Sequence, residues 1–191
     1  MVALTVDFSS VTALDAEQFF CLCRANPDIK FERSVRGELI IMPPTGGETG
    51  NRNFEIGADF AIWNRREKLG VLFDSSTCFQ LPGGGDRSPD ISWIQQKRWD
   101  GLTPEEKEKF PPIAPDFVLG LMSPSDRLKP TQEKMQEYMD SGVRLGWLIQ
   151  RKQRHVEVYR QGQEKEVLEN PASLSGEDVL PEFVLSMSDV W

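Results

Sequence analysis

Histidine is nearly missing from this chain: His155 is the only one among 191 residues. Serine and cysteine hydrolase triads depend on an imidazole base, so they are poor candidates here. Zinc sites built from several histidines and cysteines are poor candidates too. His155 alternates with Glu157 and Tyr159, which predicts an exposed strand face rather than a general base. Cysteine is also scarce. Cys21, Cys23 and Cys78 cannot all pair, and the first two sit in an apolar, helical context. They are expected to be buried, reduced thiols in a reducing cytoplasm. Apolar runs of about 18 residues are missing, so no membrane span is expected. Met1–Asp7 has no basic segment followed by an apolar one, so no signal peptide is expected either.

Positive charge is in deficit. Lysine and arginine number 22 against 30 aspartates and glutamates, a net charge of −8, and the isoelectric point is near 4.8. Such a chain is unsuited to coating nucleic acid non-specifically, because phosphate contacts need cationic surface. A nuclease stays possible, since an acidic metal site can sit beside a local basic rim. What is present is an ordinary globular composition, 39% hydrophobic and 27% charged. It suits one domain spanning 1–191 with a sizeable core. Composition leaves enzyme, binding module and scaffold all open.

Asp15, with Gln18 three residues on, predicts the capped start of a short helix that ends near Asn26-Pro27. Phe31 to Met42 reads as two strands turning near Arg36-Gly37. Gly46 to Gly50 reads as a loop leading into a helix from about Asn51 to Lys68, without the Lys-Ser/Thr ending of a P-loop. Val71 to Leu81 and Ser88 to Ile94 read as an antiparallel hairpin turning at Gly83-Gly84-Gly85-Asp86. Thr103 and Pro104 open a surface helix. Phe117 to Met122 is a continuous apolar run, as a central strand would be. A helix over 131–141, an apolar strand over 143–149, an edge strand at 156–159 and a packed tail from Leu180 to Trp191 complete the expectation. The class is α/β, a mixed sheet flanked by helices. Most of the tryptophans, Trp63, Trp93, Trp99, Trp147 and Trp191, are expected in the core or an interface.

Two Pro-Asp dipeptides, Pro89-Asp90 and Pro115-Asp116, precede apolar strands, so each aspartate could project from a strand end into a cleft. Alone, each is an ordinary turn signal. Their context is more specific. Ser88 to Trp93, then Ala114 to Asp126, then Lys134, Tyr138, Gly142-Val143-Arg144 and Trp147-Leu148-Ile149 follow in an ordered set. Phe31-Glu32, Gly37-Glu38-Leu39 and Met42-Pro43 stand in front of it and Val156 to Tyr159 behind. From about Asp15 to Trp191 the chain resembles a large bacterial family of restriction endonucleases, formerly a family of unknown function, with a PD-(D/E)XK nuclease fold.

That resemblance implies metal-assisted hydrolysis of DNA phosphodiester bonds with Mg²⁺ or Mn²⁺. It matches Asp90 to the first metal ligand, Lys134 to the catalytic lysine and Glu32 to a supporting glutamate. It also implies a homodimer as the habit of the fold, with DNA as a partner and no membrane or organic cofactor. Arg127 and Lys129 could add a phosphate rim or simply solvate a helix start. One departure stands out. Gly120 occupies the place of the family's second carboxylate, and Met122 that of the basic residue two further on. Weak metal binding and impaired catalysis are therefore expected, unless Glu32, Glu38 or Glu48 substitutes. The alternative is an inactive nuclease fold that binds nucleic acid or protein.

Overall fold

Capping decides where the first helix begins. In the computed structural model, which describes residues 3–7 and 14–191, the Asp15 carboxylate accepts from the Gln18 N–H and the Gln18 side chain accepts from the Asp15 N–H. This reciprocal pair opens α1 (Ala16–Ala25), after the short strand β1 (Leu4–Val6). Strands β2 (Lys30–Arg33) and β3 (Leu39–Met42) form the expected hairpin, which closes where Gly37 adopts a φ of 81°.

Helix α2 (Gly47–Glu67) starts four residues earlier than its apolar periodicity predicts. The glycines of Gly46 to Gly50 disfavour helix by roughly 0.5–1 kcal/mol each. Two features offset that cost. Thr49 is buried, and Glu48 sits in the first turn, where the helix dipole favours an anion and Arg151 pairs with it at 2.9 Å.

The glycine turn also does something other than expected. It joins β5 (Phe79–Gln80) to β6 (Asp86–Arg87), two short strands that extend the small sheet of β1, β3 and β2. Strand β4 (Gly70–Asp74) pairs instead with β7 (Ile91–Gln95) in a second, larger sheet. The expected single hairpin is thus two pairings, one in each sheet.

After α3 (Gln96–Asp100) and α4 (Pro104–Glu108), β8 (Phe117–Leu121) runs through the middle of the large sheet. Helix α5 (Leu128–Asp140) crosses over to β9 (Leu145–Gln150), which is parallel to β8. Strands β10 (His155–Arg160) and β11 (Glu166–Glu169) follow antiparallel, giving the order β11-β10-β9-β8-β7-β4. Strand β10 is therefore interior, and β11 takes the edge that periodicity assigned to it.

Helices cover both faces of this sheet. Ile56, Phe60 and Trp63 of α2 pack with Phe117, Trp147 and the tail on one side. Met135, Tyr138 and Met139 of α5 pack on Val118, Leu148 and Tyr159 on the other. Glu157 and Tyr159 lie beneath α5 and are buried, which corrects the expected exposed face. Gly146 makes the close approach of α5 possible, since a Cβ there would stand 2.7 Å from Met135 Cε. The tail forms the small pair β12 (Ser173–Ser175) and β13 (Val184–Ser186). Phe183 packs against Phe60 with ring centroids 4.2 Å apart and the planes tilted by 41°, and Trp63 donates to the Pro181 carbonyl at 2.9 Å.

Phe183→Ala should lower the free energy of unfolding by about 3–5 kcal/mol, because it empties a site shared by Phe60, Trp63 and Trp147. Urea titration measures this, and a loss below about 1 kcal/mol would show the tail to be an independent flap.

Candidate active site

The chain passes from the small sheet to the large one through Ser88-Pro89-Asp90, between Arg87 of β6 and Ile91 of β7. Asp90 is fixed at that corner. Its N–H donates to the Leu119 carbonyl at 3.0 Å, and its Oδ2 accepts from the Leu121 N–H at 2.7 Å. Those contacts bracket Gly120, the next residue of β8 beyond the Ile91–Leu119 pair. Burial pushes the Asp90 carboxyl above its ordinary range, and the Leu121 N–H and Lys134 offset only part of that. Gly120 is not held to glycine by its surroundings. Its backbone is outside the left-handed region. An added Cβ would meet Leu148 Cδ1 at 3.5 Å and Met135 Sδ at 4.0 Å, ordinary contacts.

Lys134 reaches the same corner from α5. Its Nζ donates to Glu32 Oε1 at 2.7 Å and to the Ser88 carbonyl at 2.9 Å. Glu32 is 1% exposed. It also accepts from Arg87 at 3.1 Å and from the Ser88 N–H at 3.2 Å. Arg87 in turn makes a two-pronged pair with Glu137 of α5, at 2.7 and 2.9 Å. Two anions and two cations thus close a neutral network across β2, β6 and α5. Burial alone would raise the Glu32 pKa; Lys134 and Arg87 outweigh it and hold the carboxyl below its ordinary range.

Asp90, Lys134 and Glu32 therefore meet at one end of the large sheet. Asp116 does not join them. It lies at the start of β8, where it accepts from the Gln95 N–H and pairs with Arg98 at 2.8 Å. Glu38 belongs to the β2–β3 turn, bonded to Ser34 and Arg36. Glu48 faces Arg151 and is largely exposed. Arg127 and Lys129 are exposed at the start of α5. Periodicity and motif reading did not single out four residues here: Arg87, Glu137, Asn53 and Lys30. Lys30 extends along β2 to the Ser75 carbonyl at 2.5 Å. With Ser88 it lines a cavity of about 340 Å³ that includes Phe31, Cys78 and Phe110. Glu157 is a further buried carboxylate, but Lys165, Tyr159, Gln132 and Gln150 all donate to it. Leu148, its partner in the β9–β10 ladder, stands between it and Gly120.

Residues 16–188 match the Uma2 family, described as "Putative restriction endonuclease". The chain belongs to the Uma2 family. A solved structure, described as a "putative nuclease belonging to DUF820" from Anabaena variabilis ATCC 29413, is similar at 23% identity and a TM-score of 0.71. The similarity covers 84% of this chain and 88% of that one, and it shows a shared restriction-endonuclease-like fold. No curated protein matches this chain.

Against the Uma2 pattern set out above, the residues around Asp90 fall short of a hard-cation site in both donors and charge. Asp90 brings one carboxylate. Beside it Asn53 turns its amide nitrogen, not its oxygen, toward Asp90 Oδ1 at 3.4 Å, and the oxygen at the other end of that amide is buried with no hydrogen-bond partner. Gly120 brings no side chain, and Glu32 is committed to Lys134, Arg87 and Ser88. Among the described residues no group of three or more histidine, cysteine, aspartate or glutamate side chains could hold a metal ion.

Glu32→Gln should destabilise the fold at neutral pH by about 3–5 kcal/mol, because it leaves Lys134 and Arg87 short of a buried counter-charge. The Glu32 pKa is lowered in the folded state, so the unfolded chain takes up the proton first. The stabilisation is therefore complete above the ordinary value of 4.5 and is lost as pH falls through the lower folded value. Denaturant titrations across pH should show the gap between parent and variant narrowing below about pH 4.5. A gap constant with pH would contradict the network.

Proposed function

We propose that this chain is a metal-dependent endonuclease of reduced capacity, acting on phosphodiester bonds of DNA. The observation that carries the reading is the meeting of Asp90 and Lys134 at the Ser88-Pro89-Asp90 corner, directly beside Gly120. A scissile phosphate placed there faces an ammonium held by two acceptors, with one of its three N–H groups still unassigned. That group can stabilise charge developing on a phosphate oxygen or orient the attacking water. Glu32 acts through Lys134: it holds the amine in place by a 2.7 Å contact and does not itself reach the phosphate.

Asp90 would be the carboxylate that holds a divalent cation. When bound, such an ion supplies Lewis-acid activation of phosphate and water. The weakness lies in charge. One carboxylate, next to the cationic Lys134 and Lys30, attracts a divalent ion less than two would.

The missing carboxylate also favours a second reading, in which the fold binds nucleic acid or protein without cutting. Plasmid and single-stranded DNA cleavage in Mn²⁺ or Mg²⁺ separates the two. The parent should cut slowly, Asp90→Ala and Lys134→Ala should abolish cutting, and Gly120→Glu should speed it by about 10-fold or more. DNA binding without cutting in the parent and in Gly120→Glu would favour the second reading. Cutting that persists in Asp90→Ala would place the chemistry elsewhere.

A further inference from the structure

The two most exposed large apolar side chains among the described residues sit on one helix. Phe54 is 74% exposed and Ile62 66%, and both belong to α2. Their spacing of about two turns puts them on one face, roughly 12 Å apart along the axis, with Ala58 midway between. Ile56, Phe60 and Trp63, on the opposite face, already bury the helix against the large sheet. The outer stripe of Phe54, Ala58 and Ile62 is surplus to that core. Adjoining exposed apolar side chains of this kind mark an interaction surface.

Charge along α2 is divided, and the division identifies the partner. Glu55 lies beside the stripe in the first half of the helix, and Arg65 and Arg66 lie in its last turn, all three exposed. Arg66 reaches only its neighbour Glu67, and Glu55 and Arg65 enter no ion pair among the described residues. Roughly 15 Å of helix separates Glu55 from Arg65, so they cannot meet within one chain. Asp59 adds to the acidic half. Partial burial, Asp189 and Glu55 together hold its carboxyl above the ordinary range.

An antiparallel second copy of α2, centred level with Phe60, matches both patterns. Ile62 then packs on the partner's Ala58, a large side chain over a small one. Glu55 faces the partner's Arg65, and Phe54 lies along the stem of the partner's Arg66. Each contact occurs twice, as a two-fold interface requires. DNA suits this face poorly, because Glu55, Asp59 and Asp189 repel phosphate.

We propose that two copies of this chain associate through the outer face of α2, antiparallel about a two-fold axis near Phe60. The inference does not depend on the nuclease reading.

Sedimentation equilibrium of the full-length chain over a range of concentrations tests it. The parent should show a monomer–dimer equilibrium. Phe54→Asp and Ile62→Asp should each weaken the dimer by about 10-fold or more, because each puts an unpaired charge into the apolar contact. Glu55→Arg and Arg65→Glu should each weaken it by about 3-fold or more, and the two together should restore it, since the exchanged charges meet again across the axis. All four positions are exposed, and circular dichroism melts establish that each variant is folded. A parent that stays monomeric, or a dimer indifferent to Ile62→Asp, overturns the proposal. A dimer that Ile62→Asp weakens but the charge exchange fails to restore overturns the antiparallel arrangement. A monomeric parent whose binding to a labelled DNA duplex is lost in Phe54→Asp would give the face to nucleic acid instead.

Discussion

The buried carboxylate of Glu32 is the constraint on which the rest of this site depends. An isolated anion at 1% exposure would be strongly disfavoured, so its position requires Lys134 from α5 and Arg87 from β6. Through Arg87 the requirement extends to Glu137, one turn further along α5. The network therefore locks the small sheet to the crossover helix of the large one. The corner between the two sheets, Ser88-Pro89-Asp90, lies inside that lock, because Ser88 gives its N–H to Glu32 and its carbonyl to Lys134. Asp90 and Lys134 are thus placed by one electrostatic arrangement. A buried network of this kind contributes geometry more than stability, since desolvation offsets much of the attraction.

Charge balance also sets what the site can do. Glu32 is fully occupied by its own partners, so it cannot serve as a free metal carboxylate while it holds Lys134. The burden falls on Asp90, whose carboxyl is pushed up by burial, a tendency that a bound cation would oppose. Gly120 is the position where a second charge would matter most. It is bounded by ordinary contacts with Leu148 and Met135, and nothing in the backbone demands glycine. A side chain introduced there would meet only ordinary packing contacts.

Much of the fold was legible in the sequence. The continuous apolar run at 117–122 is a central strand, and the Asp15 and Thr103 caps open helices as their residue types predict. What misled was local. The glycines before α2 argued for a loop, yet Glu48, Arg151 and buried Thr49 extend the helix over them. Polar alternation at His155, Glu157 and Tyr159 argued for an exposed edge. Tertiary packing overrides it, because α5 covers that face and four donors satisfy Glu157. Asp90, Lys134 and Glu32, which the structure brings to one corner, were singled out through an ordered family resemblance. Arg87, Glu137 and Asn53 were not, since their importance comes from partners about 30 to 60 residues away in sequence, which no local pattern encodes.

The account's central claim is that Asp90 marks a cation site from which one carboxylate has been lost. Anomalous diffraction from Mn²⁺-soaked crystals of the Gly120→Glu chain tests it most directly. A single strong peak between Asp90 and the introduced carboxylate, within about 2.5 Å of both, is the predicted result. A well-ordered introduced side chain with no peak beside Asp90, or a peak at some other group of residues, would contradict it.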